Sequence, residues 1–295
     1  MAATPLSARP IYPYLWLAPA FAILIAVLVY PWLWSGYLTV FEWNPIRQQP
    51  PSFVGLDNFI EVFSNRRFLH ALRRTLILAT VHISASLVIG LVVSMVLNSG
   101  IRLQRFFRVA VMFPLVLTPV AVGLMWRIIL HEQWGILNYL LNWLGFRKAE
   151  WLSNPSLTVP VITVVHTWRQ SPFMVLILLA ALQSLPTEHV EAAVIDGATR
   201  RQQFWYIILP WLRPAAVVGI LFLSIFALRV FAVVFSIYGG PGPGNAGEFL
   251  GVYLYEHFRK TWEFGTTSAI SYSLLMLTLL LGLTIVKTLY VEHKE

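Results

Sequence analysis

Residues 191–210 read EAAVIDGATRRQQFWYIILP and lie between two long apolar runs. Asp196-Gly197 predicts the end of a first short helix, because glycine readily takes the positive φ that terminates a helix. Thr199 and Gln202 have the spacing of a capping box, which predicts that a second helix begins there. Since Pro186 suits the first turn of the first helix, this loop predicts two short helices joined by a glycine bend.

Two interpretations fit this helix pair. In the first, the pair lies at the membrane surface, held there by the apolar side chains of Phe204, Trp205 and Ile208. In the second, it docks into a groove of a partner protein. Ala192-Ala193 keeps one helix face slim enough to enter such a groove, and Glu191 offers a carboxylate to an Arg or Lys inside it. The residue types alone leave both interpretations open.

The runs around this loop are long and apolar. Of the 295 residues, 58% are apolar and 12% are charged, about half the charged share of a soluble protein. A run of about 20 apolar residues can cross a bilayer, and only a helix satisfies its backbone there. The predicted spans are Tyr14–Val40, Thr75–Leu97, Val109–Leu130, Leu157–Leu182, Ala215–Tyr238 and Thr267–Tyr290. The predicted fold is an all-α polytopic membrane protein with six transmembrane helices.

Small residues mark one face of the second span. Ser86, Gly90 and Ser94 recur at one-turn spacing, which lets another backbone approach closely. The face packs either inside this chain or against another subunit, and we favour packing inside the chain. Prolines at positions 19, 31, 114, 119, 160 and 172 predict kinks in or near the spans.

The charge pattern does not orient the spans. If both termini are cytoplasmic, nine Arg and Lys lie in the inside segments and nine in the outside loops. The positive-inside rule therefore gives a tie. The net charge of +8 also does not indicate nucleic-acid binding, because the basic residues are scattered over short loops and form no continuous stripe.

The sequence contains no complete catalytic or metal-binding motif. The Gly/Pro-rich stretch 239–244 lacks the Lys-Ser/Thr of a phosphate-binding loop. His131-Glu132 begins like a zinc-protease motif, but Gly135 stands where the second ligand belongs. Cysteine is absent. His82 and His166 lie in predicted spans, and we expect them to be hydrogen-bonded packing residues rather than a proton relay. The chain is not expected to be an enzyme or to bind a metal or cofactor.

The loop at 186–210 resembles the EAA loop of ABC importer permeases, through the residues of its two helices and the following Leu-Pro. In that family the loop forms cytoplasmic coupling helices, which sit in a cleft of the ATPase subunit and pass its closure to the membrane helices. The resemblance implies the architecture of a type I ABC importer permease. The ATPase-coupling residues that it implies are Glu191, Ala192, Ala193, Asp196, Gly197, Phe204, Leu209 and Pro210.

Further segments resemble the sugar branch of these permeases, which serves maltose-type oligosaccharides and glycerol 3-phosphate. They are Phe53–Phe59, His166-x-Trp168-Arg169, Ala181–Pro186 and Gly239-Gly240-Pro241. The similarity extends over nearly the whole chain from about residue 11. One position departs from the pattern, because Phe231 is followed by Ala232 where this branch often has Asp.

The resemblance also resolves the orientation. It implies a bacterial cytoplasmic membrane protein with residues 186–210 and both termini inside the cell. The implied organisation is a cytoplasmic N-terminus at 1–13, a six-span permease domain at 14–290 and a cytoplasmic tail at 291–295. The implied partners are membrane lipid, a second permease (usually a different chain in this branch), a dimer of ATPase subunits that bind ATP and Mg, and an extracytoplasmic solute-binding protein.

Three residues are expected on the solute path. Arg229 lies inside the fifth predicted span, where a charged side chain usually faces the protein interior. It either lines the path or pairs with an acidic group of the second permease. Trp168 and Arg169 offer an aromatic face and a hydrogen-bonding fork to a sugar, although packing explains them equally well. Two other functions stay open, namely an ABC permease for a non-sugar solute and a secondary transporter that needs no ATPase.

Overall fold

The computed structural model describes residues 12–289, most of them in α-helices. In chain order the helices are α1 (Tyr12–Leu24), α2 (Tyr30–Leu38), α3 (Asp57–Ser64), α4 (Arg66–Asn98), α5 (Gln104–Val116), α6 (Pro119–Ile129), α7 (Ile136–Trp143), α8 (Pro155–Gln183), α9 (Thr187–Ile195), α10 (Arg200–Gln203), α11 (Leu209–Leu228), α12 (Ala232–Tyr238), α13 (Leu250–Thr261) and α14 (Phe264–Leu289). Two short strands, β1 (Phe41–Glu42) and β2 (Ser52–Phe53), form an antiparallel ribbon. The predicted all-α membrane class is confirmed.

Part of the predicted organisation lies outside the described residues. Nearly all of the N-terminal segment 1–13 and the whole tail 291–295 fall there, as does the last residue of the sixth predicted span. The described chain forms two compact units. The first comprises residues 12–65 and 257–273, and the second comprises residues 66–256 and 274–289.

Within residues 12–289, five helices are long and apolar enough to cross a membrane. The predicted third span, Val109–Leu130, is not one continuous helix but the pair α5 and α6, bent by 100°. The cause is local, because Pro119 disfavours helical backbone at the preceding residue. Thr118 accordingly has ψ 145° and caps α6 by accepting a hydrogen bond from the backbone of Ala121 at 3.3 Å. The bent pair makes a sixth span if it crosses as one unit.

The predicted fifth span, Ala215–Tyr238, also differs from the structure. The helix begins much earlier, at Arg200, and runs continuously to Leu228. Residues 229–231 interrupt it before α12 begins. Arg229 is therefore the residue that ends α11 rather than a residue inside an unbroken span.

Two helical segments, the one that joins α1 to α2 and the one that joins α10 to α11, contain a widened turn just before a proline. A π-helical turn at Ile25–Val29 precedes Pro31, and another at Phe204–Ile208 precedes Pro210. A proline ring clashes with the carbonyl four residues earlier and lacks an N–H donor. A wider turn, in which Leu209 donates to a carbonyl five residues back, lets the helix continue through the proline with a local bulge.

The first unit is held together by polar contacts. The Asn58 side chain donates to the backbone carbonyl of Thr39 at 2.9 Å, which ties the start of α3 to the end of α2. Arg47 forms ion pairs with Glu42 at 3.0 Å and with Glu263 at 3.3 Å. Burial raises the pKa of Glu263, and Arg47 opposes that rise. The ion pair with Glu263 joins segments that are 216 residues apart in the sequence.

In the second unit, the small-residue face of α4 packs against α8. Ser86, Gly90 and Ser94 are buried there, and a Cβ at Gly90 would lie 3.0 Å from Cβ of Met174 and 3.3 Å from its carbonyl carbon. The close approach of two backbones explains why this face carries small residues. The prediction that the face packs inside the chain is confirmed.

The Gly/Pro-rich segment 239–249 is anchored to α4. Arg67 forms two hydrogen bonds with the carboxylate of Glu248, at 2.7 and 2.5 Å, and that carboxylate is almost completely buried. Arg74 donates to the backbone carbonyl of Asn245 at 2.6 Å. Since a buried carboxylate is costly unless it is paired, the paired Arg67 fixes the position of a segment that cannot form a regular helix.

A methyl group at Gly90 is expected to destabilise the protein. Alanine usually stabilises a helix by about 0.5–1 kcal/mol relative to glycine, but here its methyl overlaps Met174, and overpacking costs about 1–3 kcal/mol. Gly282 in α14 is the matched control, since a Cβ at that position would lie 3.8 Å from its nearest neighbour, Leu221 Cδ1. In thermal unfolding experiments in detergent, the midpoint of Gly90→Ala should be lower than that of the parent protein. The midpoint of Gly282→Ala should equal or exceed that of the parent. Equal midpoints for the two variants would contradict the packing.

Candidate coupling loop and solute cavity

Helix α9 lies at the surface of the second unit. None of its residues is buried, and Ile195 is 85% exposed despite its apolar side chain. Glu191 and Ala192 are exposed and Ala193 is half-buried. Lipid or another protein can cover apolar groups that are exposed in this way, so the exposure is compatible with both interpretations of the helix pair.

The bend after α9 is a Schellman motif with glycine at its left-handed position. Gly197 has φ +80° and donates to the carbonyl of Val194 at 3.0 Å. Ala198 donates to the carbonyl of Ala193 at 2.8 Å, which completes the pair of bonds that defines the motif. A Cβ at Gly197 would meet no atom within 4 Å. Glycine is required here by backbone conformation alone.

The second helix of the loop begins with the predicted capping box. The Thr199 hydroxyl accepts a hydrogen bond from the Gln202 backbone at 3.3 Å, and the Gln202 side chain accepts one from the Thr199 backbone at 2.8 Å. Gln203 adds a hydrogen bond to the Ala198 carbonyl at 2.9 Å, just after the bend. The bend is therefore fixed on both sides by short-range hydrogen bonds.

Both ends of the loop are fastened to the helical core. The Trp211 indole N–H donates to the carbonyl of Ala181 at 2.9 Å, joining the start of α11 to the end of α8. Leu182 and Leu212 are buried in one apolar cluster with Leu178 and neighbouring side chains. The hydrogen bond and the shared apolar cluster hold α8 and α11 together at the base of the loop. No sequence pattern indicated Trp211, because the contact joins residues that are 30 apart in the chain.

The eight predicted coupling residues lie on the two sides of this bend. Glu191, Ala192 and Ala193 belong to α9, and Asp196-Gly197 forms the bend itself. Phe204, Leu209 and Pro210 lie in the widened turn and at the start of α11. The first group is exposed or half-exposed, whereas Phe204 and Leu209 are half-buried. Their role in coupling stays a prediction.

A cavity of about 230 Å³ lies where the two interrupted helices meet α8. It is lined by Pro119 at the start of α6, by His166, Arg169 and Gln170 of α8, and by Arg229 at the end of α11. The three α8 residues share one helix face through their spacing of three and four positions. That spacing is a sequence signal that could have identified Gln170 as a companion of Arg169.

Two predicted path residues, Arg169 and Arg229, therefore face the same cavity. Arg169 is half-buried, and its Nε donates to the Leu117 carbonyl at 3.3 Å, at the break between α5 and α6. Arg229 is exposed. Among residues 12–289, neither guanidinium lies within 4.0 Å of a carboxylate.

The third predicted path residue, Trp168, lies elsewhere. Its ring packs edge-on against Trp126 of α6, with centroids 5.7 Å apart. Both rings pack against the apolar core cluster, and Trp168 is not part of the cavity wall. Its role on a solute path stays a prediction.

His82 and His166 form a buried pair with ring centroids 4.6 Å apart. His82 Nδ1 lies 3.2 Å from the Thr167 hydroxyl, as expected for a hydrogen-bonded packing residue. His166 differs from that expectation, because neither of its ring nitrogens has a hydrogen-bond partner within the described part of the chain. In the same part of the chain, no group of three or more His, Cys, Asp or Glu side chains could hold a metal ion.

Comparisons with known proteins identify the family. Residues 86–292 match the family described as the inner membrane component of binding-protein-dependent transport systems. A probable ABC transporter permease protein, y4oQ of Sinorhizobium fredii, is 35% identical over 275 residues, which is 92% of this chain and 88% of that protein. The trehalose/maltose transport system permease protein MalF of Thermococcus litoralis is 30% identical over 273 residues, covering 92% of this chain and 91% of that protein.

Solved structures show the same fold. A chain in the crystal structure of a bacterial ABC transporter involved in the import of the acidic polysaccharide alginate superposes with a TM-score of 0.82 at 21% identity, covering 95% of this chain and 96% of that one. A chain of the bacterial alginate ABC transporter in complex with an alginate pentasaccharide-bound periplasmic protein gives a TM-score of 0.80 at 21% identity, covering 92% of each chain.

The family is that of a non-enzymatic membrane component, in agreement with the expectation that this chain is not an enzyme. The glycine-bent loop joins two of the apolar helices that are long enough to cross a membrane. The chain belongs to the family of inner membrane components of binding-protein-dependent transport systems, the permease subunits of ABC importers.

Proposed function

We propose that this chain forms half of the translocation path of an ATP-driven carbohydrate importer and is driven through the loop at 186–210. The observation that carries the proposal is the construction of the loop. An exposed helix, α9, is followed by the bend at Gly197, and the helices that flank the loop, α8 and α11, are joined by the hydrogen bond from Trp211 to Ala181. A loop built in this way transmits force, because its own backbone does not absorb the displacement.

The solute class is proposed from the relatives. MalF of Thermococcus litoralis is named as a trehalose/maltose permease and aligns with 92% of this chain. The structurally similar transporters import alginate, which is also a saccharide. An oligosaccharide or a glycerol-phosphate-like molecule is therefore the proposed solute.

The proposed mechanism assigns the chemistry to partners. A dimer of ATPase subunits binds ATP and Mg and receives α9 and α10 of each permease. Closure of the ATPases pulls on Glu191–Pro210 and rocks the helix bundles between inward-facing and outward-facing states. A second permease, proposed to be a different chain, forms the other half of the path, and a solute-binding protein delivers the solute from outside. Residues 186–210 and both termini then lie in the cytoplasm.

The partner requirement is directly testable. We expect a tagged copy of the chain, purified from its native host, to retain an ATPase subunit and a second permease. Vesicles that contain this complex should take up the sugar carried by the binding protein only when ATP and the loaded binding protein are both supplied. A complex with an inactive ATPase serves as the control and should give no uptake. Uptake at an equal rate by vesicles without bound ATPase would contradict the proposal and favour a secondary transporter.

A further inference from the structure

The cavity beside α8 has one apolar wall, which includes Phe226 and Phe231, and one polar wall that suits an anion. Its polar wall combines the guanidinium groups of Arg169 and Arg229 with the imidazole of His166 and the amide of Gln170. Four polar side chains of this kind contain several N–H donors and two positive charges. No carboxylate within residues 12–289 lies close enough to neutralise either guanidinium.

His166 strengthens this interpretation. It is only 3% exposed, lines the cavity and has no hydrogen-bond partner at either ring nitrogen among the described residues. A buried polar group without a hydrogen-bond partner is destabilising. Both nitrogens are covered by protein, so rotation of the ring toward the cavity would let a solute oxygen supply the missing hydrogen bond.

Breaks in two helices also bring backbone polar groups to the cavity. The cavity lies at breaks in two apolar helices, one between α5 and α6 and the other at Arg229. Discontinuous helices expose backbone polar groups at depths where an unbroken helix would expose none, and ligand sites of transporters use them. Arg169 already satisfies one such group, the Leu117 carbonyl, with Nε, which leaves its other N–H groups for a ligand.

We infer that this cavity binds an anionic group of the transported carbohydrate, such as a carboxylate, and that the permease itself therefore selects acidic sugars over neutral ones. The inference rests on the proposed function for the identity of the ligand as a solute. Arg229 and Arg169 supply the charge, whereas Gln170 and His166 contribute neutral hydrogen bonds. An anionic lipid headgroup shares this chemistry, and the experiment separates it from a solute.

The test measures binding without ATP, so that its outcome is independent of the coupling proposal. The purified full-length chain in nanodiscs of zwitterionic lipid is titrated with D-glucuronate or D-glucose, and binding is followed by ligand-observed saturation-transfer NMR. We expect saturable binding of glucuronate, at least tenfold tighter than that of glucose and weakened by added salt. Equal signals from the two sugars would overturn the inference.

Variants locate the site. Arg229→Gln and Arg169→Gln should each weaken glucuronate binding about tenfold or more, because each removes a charge-assisted hydrogen bond. Arg229→Lys keeps the charge and should retain part of the affinity. The control is Arg127→Gln, which changes an exposed arginine of α6 outside the cavity and should bind like the parent. Equal losses in Arg127→Gln and Arg229→Gln would overturn the assignment.

The lipid is tested by changing the nanodisc. If glucuronate binding persists in phosphatidylglycerol nanodiscs, the cavity is a solute site, whereas its complete loss there would show that a lipid headgroup occupies it and would overturn the inference. Thermal unfolding of each variant, measured in parallel, identifies any variant that fails to fold. For such a variant the comparison of glucuronate with glucose on the parent protein still decides the outcome.

Discussion

Gly197→Pro is expected to abolish solute-stimulated ATP hydrolysis while leaving membrane insertion intact. Gly197 has φ +80°, whereas proline fixes φ near −65° and removes the N–H that bonds to Val194. The Schellman motif cannot form with that residue, because both the left-handed φ and one of the two hydrogen bonds of the motif are lost. Helices α9 and α10 would then leave the bend at a different angle, so that they no longer fit the cleft of the ATPase. ATPase assays of the reconstituted complex with and without solute-loaded binding protein measure the effect.

Gly145 provides a closely matched control for this variant. It follows the C-terminal end of α7, has φ +81° and donates to the Asn142 carbonyl at 3.1 Å. The second bond of the Schellman motif is also present, from the Phe146 N–H to the Leu141 carbonyl at 2.9 Å. A Cβ at Gly145 would likewise meet no atom within 4 Å. Gly145→Pro therefore imposes the same backbone strain at a bend outside the coupling loop. Solute stimulation should survive in Gly145→Pro, and its survival in Gly197→Pro would show that the bend at 197 is not needed for coupling.

Glu191→Lys is expected to uncouple the transporter by a different route. Glu191 is exposed on α9, and the proposed docking pairs its carboxylate with an Arg or Lys of the ATPase. Reversing the charge places two like charges in contact in a water-poor groove, which costs about 2–5 kcal/mol. That corresponds to docking weakened on the order of 30-fold or more. Co-purification of the ATPase at rising salt measures docking, and solute-stimulated hydrolysis measures its consequence.

Glu188→Lys is the matched control on the same helix. Glu188 is also exposed and lies one turn before Glu191. If Glu191 makes a specific contact, Glu188→Lys should keep most of the ATPase and most of the stimulation. Equal losses in both variants would indicate a general charge effect rather than a contact. Retention of full stimulation in Glu191→Lys would remove Glu191 from the coupling mechanism.

The features that sequence patterns predict correctly depend on nearby residues. Apolar runs require helices in lipid whatever their neighbours are, which explains the correct helical class. The capping box at Thr199 and Gln202 and the glycine bend at Gly197 join residues within five positions of each other. Their energetics are local, because each hydrogen bond closes over a single turn. The spacing of Ser86, Gly90 and Ser94 likewise indicates which face of α4 carries small side chains.

The predicted spans are wrong where a helix breaks within an apolar run. The prolines at 114, 119, 160 and 172 all predict kinks in their spans. Helix α8 runs unbroken through Pro160 and Pro172, whereas the chain breaks before Pro119. The break at Arg229 has no proline or glycine near it, since residues 220–238 contain neither. Hydropathy measures the length of an apolar run but not its continuity, so the two interrupted helices could not be distinguished from continuous ones.

Composition and short spacings are sufficient to establish that this chain crosses a membrane as helices and carries a glycine-bent polar loop, since burial in lipid and helix capping act locally. Tertiary packing was needed to bring Arg169 and Arg229 to one cavity with His166, which has no hydrogen-bond partner among residues 12–289. It was also needed to join α11 to α8 through Trp211. These contacts join residues dozens of positions apart. Their formation depends on which helix faces pack together and where helices break, and no local pattern specifies either.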